Sequence, residues 1–84
     1  MTRYRIQTRT VTAGGTELHV SSVILSADEA TADILTEADI HRAAGWHTTM
    51  RGHGIGTELG CTRGLTARIL TIRQSDPFND TLPH

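Results

Sequence analysis

Three histidines at even spacing, His41, His47 and His53, precede the chain's single cysteine, Cys61. Imidazole and thiolate are ligands that suit zinc, and a small domain can use a metal to reinforce a thin core. Zinc ligands usually arrive in close pairs, roughly two to five residues apart, and no two of these four stand that close. They are weak metal candidates. Taken singly, His41 reads as a histidine beside a core stripe and His47 as an outward strand residue. A Cys61–His53 nucleophile pair is the other chemistry on offer, since spatial partners need not be sequence neighbours. A lone cysteine between Gly60 and Thr62 is more often an inert, small apolar residue.

Two of these residues lie within RGHGIGTELGCTRG, residues 51–64, which holds five glycines. A phosphate-cradling loop needs its glycines joined directly to a helix whose first amides meet the anion. Here the GHGIG glycines lead instead into TELGCTRG and then strand-like sequence, and the chain has no lysine to serve a P-loop. The stretch therefore reads as a turn-rich hairpin extension between two strands, with TELGCT an extra short strand. No nucleophile elbow of the G-x-S-x-G kind is present. The sequence thus predicts neither an enzyme nor a cofactor nor a bound metal.

The elements that would position these side chains are legible from alternation and caps. YRIQTRTV alternates Tyr4, Ile6 and Thr8 with Arg3, Arg5, Gln7 and Arg9, a strand signal. TAGGT is a turn, and ELHVSSVIL reads as a second strand. A three-residue loop, Ala13 to Gly15, sets Tyr4 opposite Ile24 and Thr8 opposite Val20, which segregates apolar from polar residues; a Gly14–Gly15 loop mixes them. SADE, residues 26–29, is a capping box that opens a helix running to Ala44, with Gly45 as terminator. Its apolar stripe is Ala27, Ala30, Ile34, Ala38 and His41, with Leu35 at the edge and Ile40 on the acidic side. WHTTMR reads as a third strand with Trp46, Thr48 and Met50 inward, and LTARILTIRQ as a fourth with Leu70 and Ile72 as its core pair. The order strand-strand-helix-strand-strand predicts an α+β fold: an antiparallel sheet with one helix packed across one face. Residues 1–74 make a single domain, and 75–84, with two prolines, an irregular tail in which Phe78 docks back.

Composition narrows the class further. Ile, Leu, Val and Phe supply only 18 of 84 residues, yet the net charge is only -1, so the chain folds around a small core. One cysteine cannot form an internal disulfide, which fits a reducing compartment. There is no apolar run of the ~20 residues a membrane span needs and no signal-peptide core after Met1, so a cytoplasmic protein without membrane contact is expected. The sequon Asn79–Thr81 is then a chance match. All eight basic residues are arginine, with abundant Ala, Gly and Thr. In that composition alone the chain resembles small orphan proteins of actinobacteria and their phages, which implies a phage- or mobile-element-encoded function.

Charge is segregated along the chain. Residues 1–25 hold three arginines against one glutamate, and 26–45 hold five acids against Arg42. The expected function is a small protein-interaction module acting through Arg3, Arg5, Arg9, Val11, Val23 and Leu25 on the uncovered sheet face, with a homodimer and a protein partner. The alternative is nucleic-acid binding by the same arginines, joined by Arg51 or Arg68; near-zero net charge and the lack of outward aromatics weigh against it. A metal-binding or catalytic domain using the His/Cys residues is the third reading.

Overall fold

The computed structural model describes residues 2–75. Strand β1 (Arg3–Thr12) turns into β2 (Gly15–Val20), helix α1 (Ala27–Ala43) comes next, and β3 (His47–Arg51), a short 3-10 turn (Gly54–Gly56), β4 (Glu58–Arg63) and β5 (Thr66–Ser75) complete the chain. The five strands form one antiparallel sheet in the order β2-β1-β5-β4-β3. The fold is α+β, with the single helix on one face of the sheet. TELGCT within the glycine-rich stretch does form a strand, β4, so the sheet is five strands wide. β5 runs through Ser75; the expectations for Phe78 and the rest of the tail lie outside the described residues.

The helix begins and ends where its local chemistry dictates. Ser26 takes extended backbone and its Oγ accepts the Glu29 amide at 3.1 Å, satisfying a donor that has no partner within the helix. Asp28 and Glu29 sit in the first turn and His41 and Arg42 in the last, in line with the helix dipole. Gly45, at φ 90°, ends it. Ala30, Ile34, Ala38 and His41 are buried as one stripe, whereas Leu35 and Ile40 are exposed.

That stripe meets the even-numbered residues of β1 and β5. Ile6 pairs with Ile72 and Thr8 with Leu70, and across the next ladder Leu70 pairs with Leu59 and Arg68 with Cys61. Ile6, Ile24, Ala30, Ile34, Ala38, Trp46, Leu59, Cys61 and Leu70 form the core, with Tyr4 and Ile72 half-buried against it. On the edge strand β3 the burial fades, from buried Trp46 through half-buried Thr48 to exposed Met50. Met50 faces inward as expected, opposite buried Leu59, but at the sheet rim it stays 39% exposed.

The first hairpin corrects the sequence reading twice. Its tight turn is Ala13–Gly14, so Thr8 faces His19 and Arg9 faces Leu18, a register one residue away from the expected Thr8–Val20 pairing. Gly15 does take a positive φ of 136°. Tyr4 nevertheless pairs with Ile24, as expected. The two facts coexist because β2 ends at Val20 and one extra residue is absorbed between Ser21 and Ile24. Ser21 bridges the defect: its amide donates to the Ile6 carbonyl at 2.9 Å, and its Oγ accepts the Ile6 amide at 2.8 Å in place of a backbone carbonyl. The consequence is one of faces. A one-residue shift turns Val20 and Leu18 outward, away from the helix.

Candidate functional site

The sheet face opposite α1 is bare, and the register specifies what it displays. Row by row across the sheet it carries Thr16–Val11–Ala67–Thr62–His47, Leu18–Arg9–Ile69–Gly60–Thr49, Val20–Gln7–Thr71–Glu58–Arg51, and Arg5–Arg73, with Arg3 beside Ser75. Five of the eight arginines stand here against one acid, Glu58. Arg3, Arg5 and Arg73 crowd one end of β1 and β5. Val11, Leu18, Val20 and Ile69, all between 39% and 59% exposed, gather near the other end, around Arg9. Like charges directly opposite, as at Arg5 and Arg73, cost stability unless something answers them. Arg5 is anchored, donating to the Ser21 carbonyl at 3.0 Å and to Ser75 Oγ at 3.4 Å.

Arg3, Arg5, Arg9 and Val11 thus share the open face. Val23 and Leu25 lie outside β2, flanking the Ile24 bridge in the connection to α1; Val23 is half-buried and Leu25 is exposed. Leu18, Val20, Ile69 and Arg73 occupy the open face without having been singled out from the sequence. Arg51 joins that face, but Arg68 does not: it pairs with Thr10 and Cys61 on the helix side. The signal for Ile69 and Arg73 was present in the alternation of β5, since Leu70 and Ile72 inward places them outward.

On the covered side the expected core histidine is part of a network. His41 Nδ1 lies 2.7 Å from the Glu37 carbonyl oxygen, and its Nε2 lies 2.9 Å from Arg68 Nη1. A carbonyl only accepts and a guanidinium only donates, so Nδ1 carries the hydrogen and Nε2 is the bare acceptor. His41 is therefore neutral in this arrangement. Arg68 also donates from Nε to Thr10 Oγ1 at 3.0 Å. Its guanidinium lies 4.6 Å from the Trp46 ring centre, that of Arg63 lies 4.8 Å away, and His41 meets the same ring edge-on at 5.3 Å. Cation–π contacts of this kind hold flat groups in place.

Cys61 is buried beside this network, and burial pushes its thiol above the ordinary range; Arg68 acts against that shift and Glu37 adds to it. A raised thiol is a poor nucleophile, which removes the chemical basis of the Cys61–His53 pair. The four metal candidates do not form a site. His41 and Cys61 face the helix side, His47 lies on the open face, and His53 is exposed at the start of the 3-10 turn. Among the described residues, no three His, Cys, Asp or Glu side chains are placed to hold a metal ion.

The glycine-rich stretch has a structural role that is plainest at Gly52. Its φ is 72°, and a Cβ there would run into the Gly56 carbonyl, so only glycine closes this turn. Thr57 Oγ1 then donates to the Gly54 carbonyl at 2.8 Å and its buried side chain leads the chain into β4.

A five-stranded antiparallel sheet with one covered face and one arginine-rich, partly apolar face defines the class: a single-helix α+β domain built around an exposed sheet surface. Comparison with protein-family models, with curated proteins and with solved structures finds no match to this chain. Among the described residues, no helix is long and apolar enough to cross a membrane.

Proposed function

We propose that the chain is a protein-interaction module that docks an acidic protein segment on its uncovered sheet face. One observation carries this reading: Val11, Leu18, Val20 and Ile69 form an exposed apolar patch around Arg9, beside the cluster Arg3, Arg5 and Arg73. Protein interfaces combine an apolar centre with arginine at its margins, and guanidinium groups grip carboxylates in two-pronged fashion. Nucleic acid would use the arginines but has no use for the apolar patch. Among the described residues the face also offers no Tyr, Trp or Phe ring for base stacking, because Tyr4 and Trp46 both pack on the helix side, and its one imidazole is that of His47 at the sheet edge. A second copy fits this face poorly, since a two-fold pairing would set arginines against arginines with only Glu58 to answer them.

The test uses a labelled peptide of about 15 residues with leucines on one helical side and Asp and Glu flanking them, against duplex DNA and single-stranded RNA of similar charge. Saturable peptide binding that drops by roughly tenfold or more in Val20→Asp and in Arg9→Ala, with an unchanged circular-dichroism melt, supports the reading. Tighter binding of DNA or RNA, falling by orders of magnitude between about 50 and 200 mM salt, overturns it in favour of the nucleic-acid alternative. Absence of peptide binding overturns it as well.

A further inference from the structure

Between α1 and the β1–β2 hairpin, on the face away from the docking surface, lies a cleft of about 440 Å³. That falls within the range of about 300–1,000 Å³ typical of small-molecule sites. Its base is apolar, Ile6 and Leu70; one wall carries Asp33 and Glu37, a helical turn apart on α1; and Arg68 and His41 close one side. We propose that this cleft binds a small zwitterion, a molecule with a carboxylate and an ammonium group on a short apolar frame.

The carboxylate end of such a ligand is answered by Arg68. Its guanidinium is already held by Thr10, by His41 and by the Trp46 ring, so little freedom remains to be lost on binding. Of its five N–H groups, two are engaged by these hydrogen bonds. No buried side-chain nitrogen lacks a partner among the described residues, so Nη2, which makes no hydrogen bond, is reached by solvent. The ammonium end is answered by the α1 wall. Asp33 has no ion pair or hydrogen bond among the described residues, and the Glu37 carboxylate meets only His41 Nδ1 at 3.6 Å, an N–H already directed to the Glu37 carbonyl. Two carboxylates thus line a cleft whose one guanidinium is committed to neutral partners. A pure anion would be repelled by that wall, and a pure cation would leave the guanidinium unanswered. The zwitterion satisfies both.

The probes are L-leucine and the longer glycyl-leucine, with their N-acetyl forms, which lose the cation, and their amides, which lose the anion. Amide resonances of Thr8, Ser21, Asp33 and Thr36 are followed by NMR. The expected result is saturable shifts with at least one zwitterion at millimolar concentration, and binding weaker by about tenfold for each single-charge analogue. Asp33→Asn with Glu37→Gln, both accessible positions, should erase the preference for the zwitterion over its N-acetyl form. No saturation by either zwitterion up to about 20 mM overturns the proposal. So does an amide that binds as tightly as its parent, or a double variant that binds unchanged. Because the cleft and the open face lie on opposite sides of the sheet, failure here leaves the interaction reading untouched.

Discussion

Arg68 donates to Nε2 of His41 at 2.9 Å, across 27 residues of sequence, and so joins the last turn of α1 to the first part of β5. The bond requires an unprotonated Nε2, and the Glu37 carbonyl requires a hydrogen on Nδ1. The tautomer is thereby determined. Nitrogen-15 NMR of the imidazole at neutral pH should show the Nδ1–H form as the dominant species. A dominant Nε2–H form would show that the Arg68 contact is not made in solution.

Removing the ring should be costly. His41→Ala takes away the acceptor that Arg68 uses and the edge contact on Trp46, and it opens space in the core. Loss of a charge-assisted buried hydrogen bond together with the cavity predicts a stability decrease of about 2–4 kcal/mol in urea unfolding. Trp46 fluorescence should change in the folded baseline as well. A loss below about 1 kcal/mol would place His41 among ordinary surface residues.

Cys61 should be silent to thiol reagents until the chain unfolds, since its side chain is 1% exposed and its thiol is raised by burial. The direction of that shift sets the sign of the accompanying pH effect. The folded state holds the thiol proton more tightly than the unfolded chain, so this group's contribution to stability is complete below the unfolded thiol value of about 8.5. It diminishes as the pH rises from there toward the raised folded value. The difference in melting temperature between the native chain and Cys61→Ala should therefore shrink or reverse above about pH 8.5. Fast thiol labelling of the folded protein at neutral pH would contradict the placement of Cys61 in the core.

The glycines of the 51–64 stretch should differ sharply from one another. Gly52→Ala places a Cβ against the Gly56 carbonyl in a positive-φ conformation, so loss well beyond the ~1–2 kcal/mol of conformational strain alone is expected. Gly54→Ala meets nothing within 4 Å and should cost only that conformational term, about 1–2 kcal/mol. Thermal melts of the two variants side by side decide the point. Equal effects would show that the turn is not built as described.

The helix cap can be checked in the same way. Ser26→Ala removes the bond to the Glu29 amide and should destabilise by about 1 kcal/mol, while Ser26→Asp should be nearly neutral. For a domain of this size that corresponds to a fall in melting temperature of about 4–8 °C. No change in Ser26→Ala would mean that water caps the helix equally well.

What the sequence by itself determined was local. The cap at Ser26, the stop at Gly45, the buried stripe through His41 and the inward pair Leu70 and Ile72 depend on neighbours within a turn or on strict alternation, and these were legible in the residues. So was the segregation of Arg3, Arg5 and Arg9 from Tyr4, Ile6 and Thr8 on β1. Tertiary structure alone decided the rest. The hairpin register followed from the Ala13–Gly14 turn, and the Ser21 hydroxyl, standing in for a backbone acceptor, lets β1 keep that pairing with β2 and another with Ile24; no pattern of apolar residues encodes that. Because a shift of one residue exchanges the faces of a strand, the two-residue turn at Ala13–Gly14 is what put Leu18 and Val20 on the open surface. Arg51 and Arg73 joined β1 there only through the order β2-β1-β5-β4-β3. Arg68, of the same residue type and strand as Arg73, went under the helix because its odd spacing from Arg73 puts it on the other face, where a neutral imidazole and an indole ring hold it.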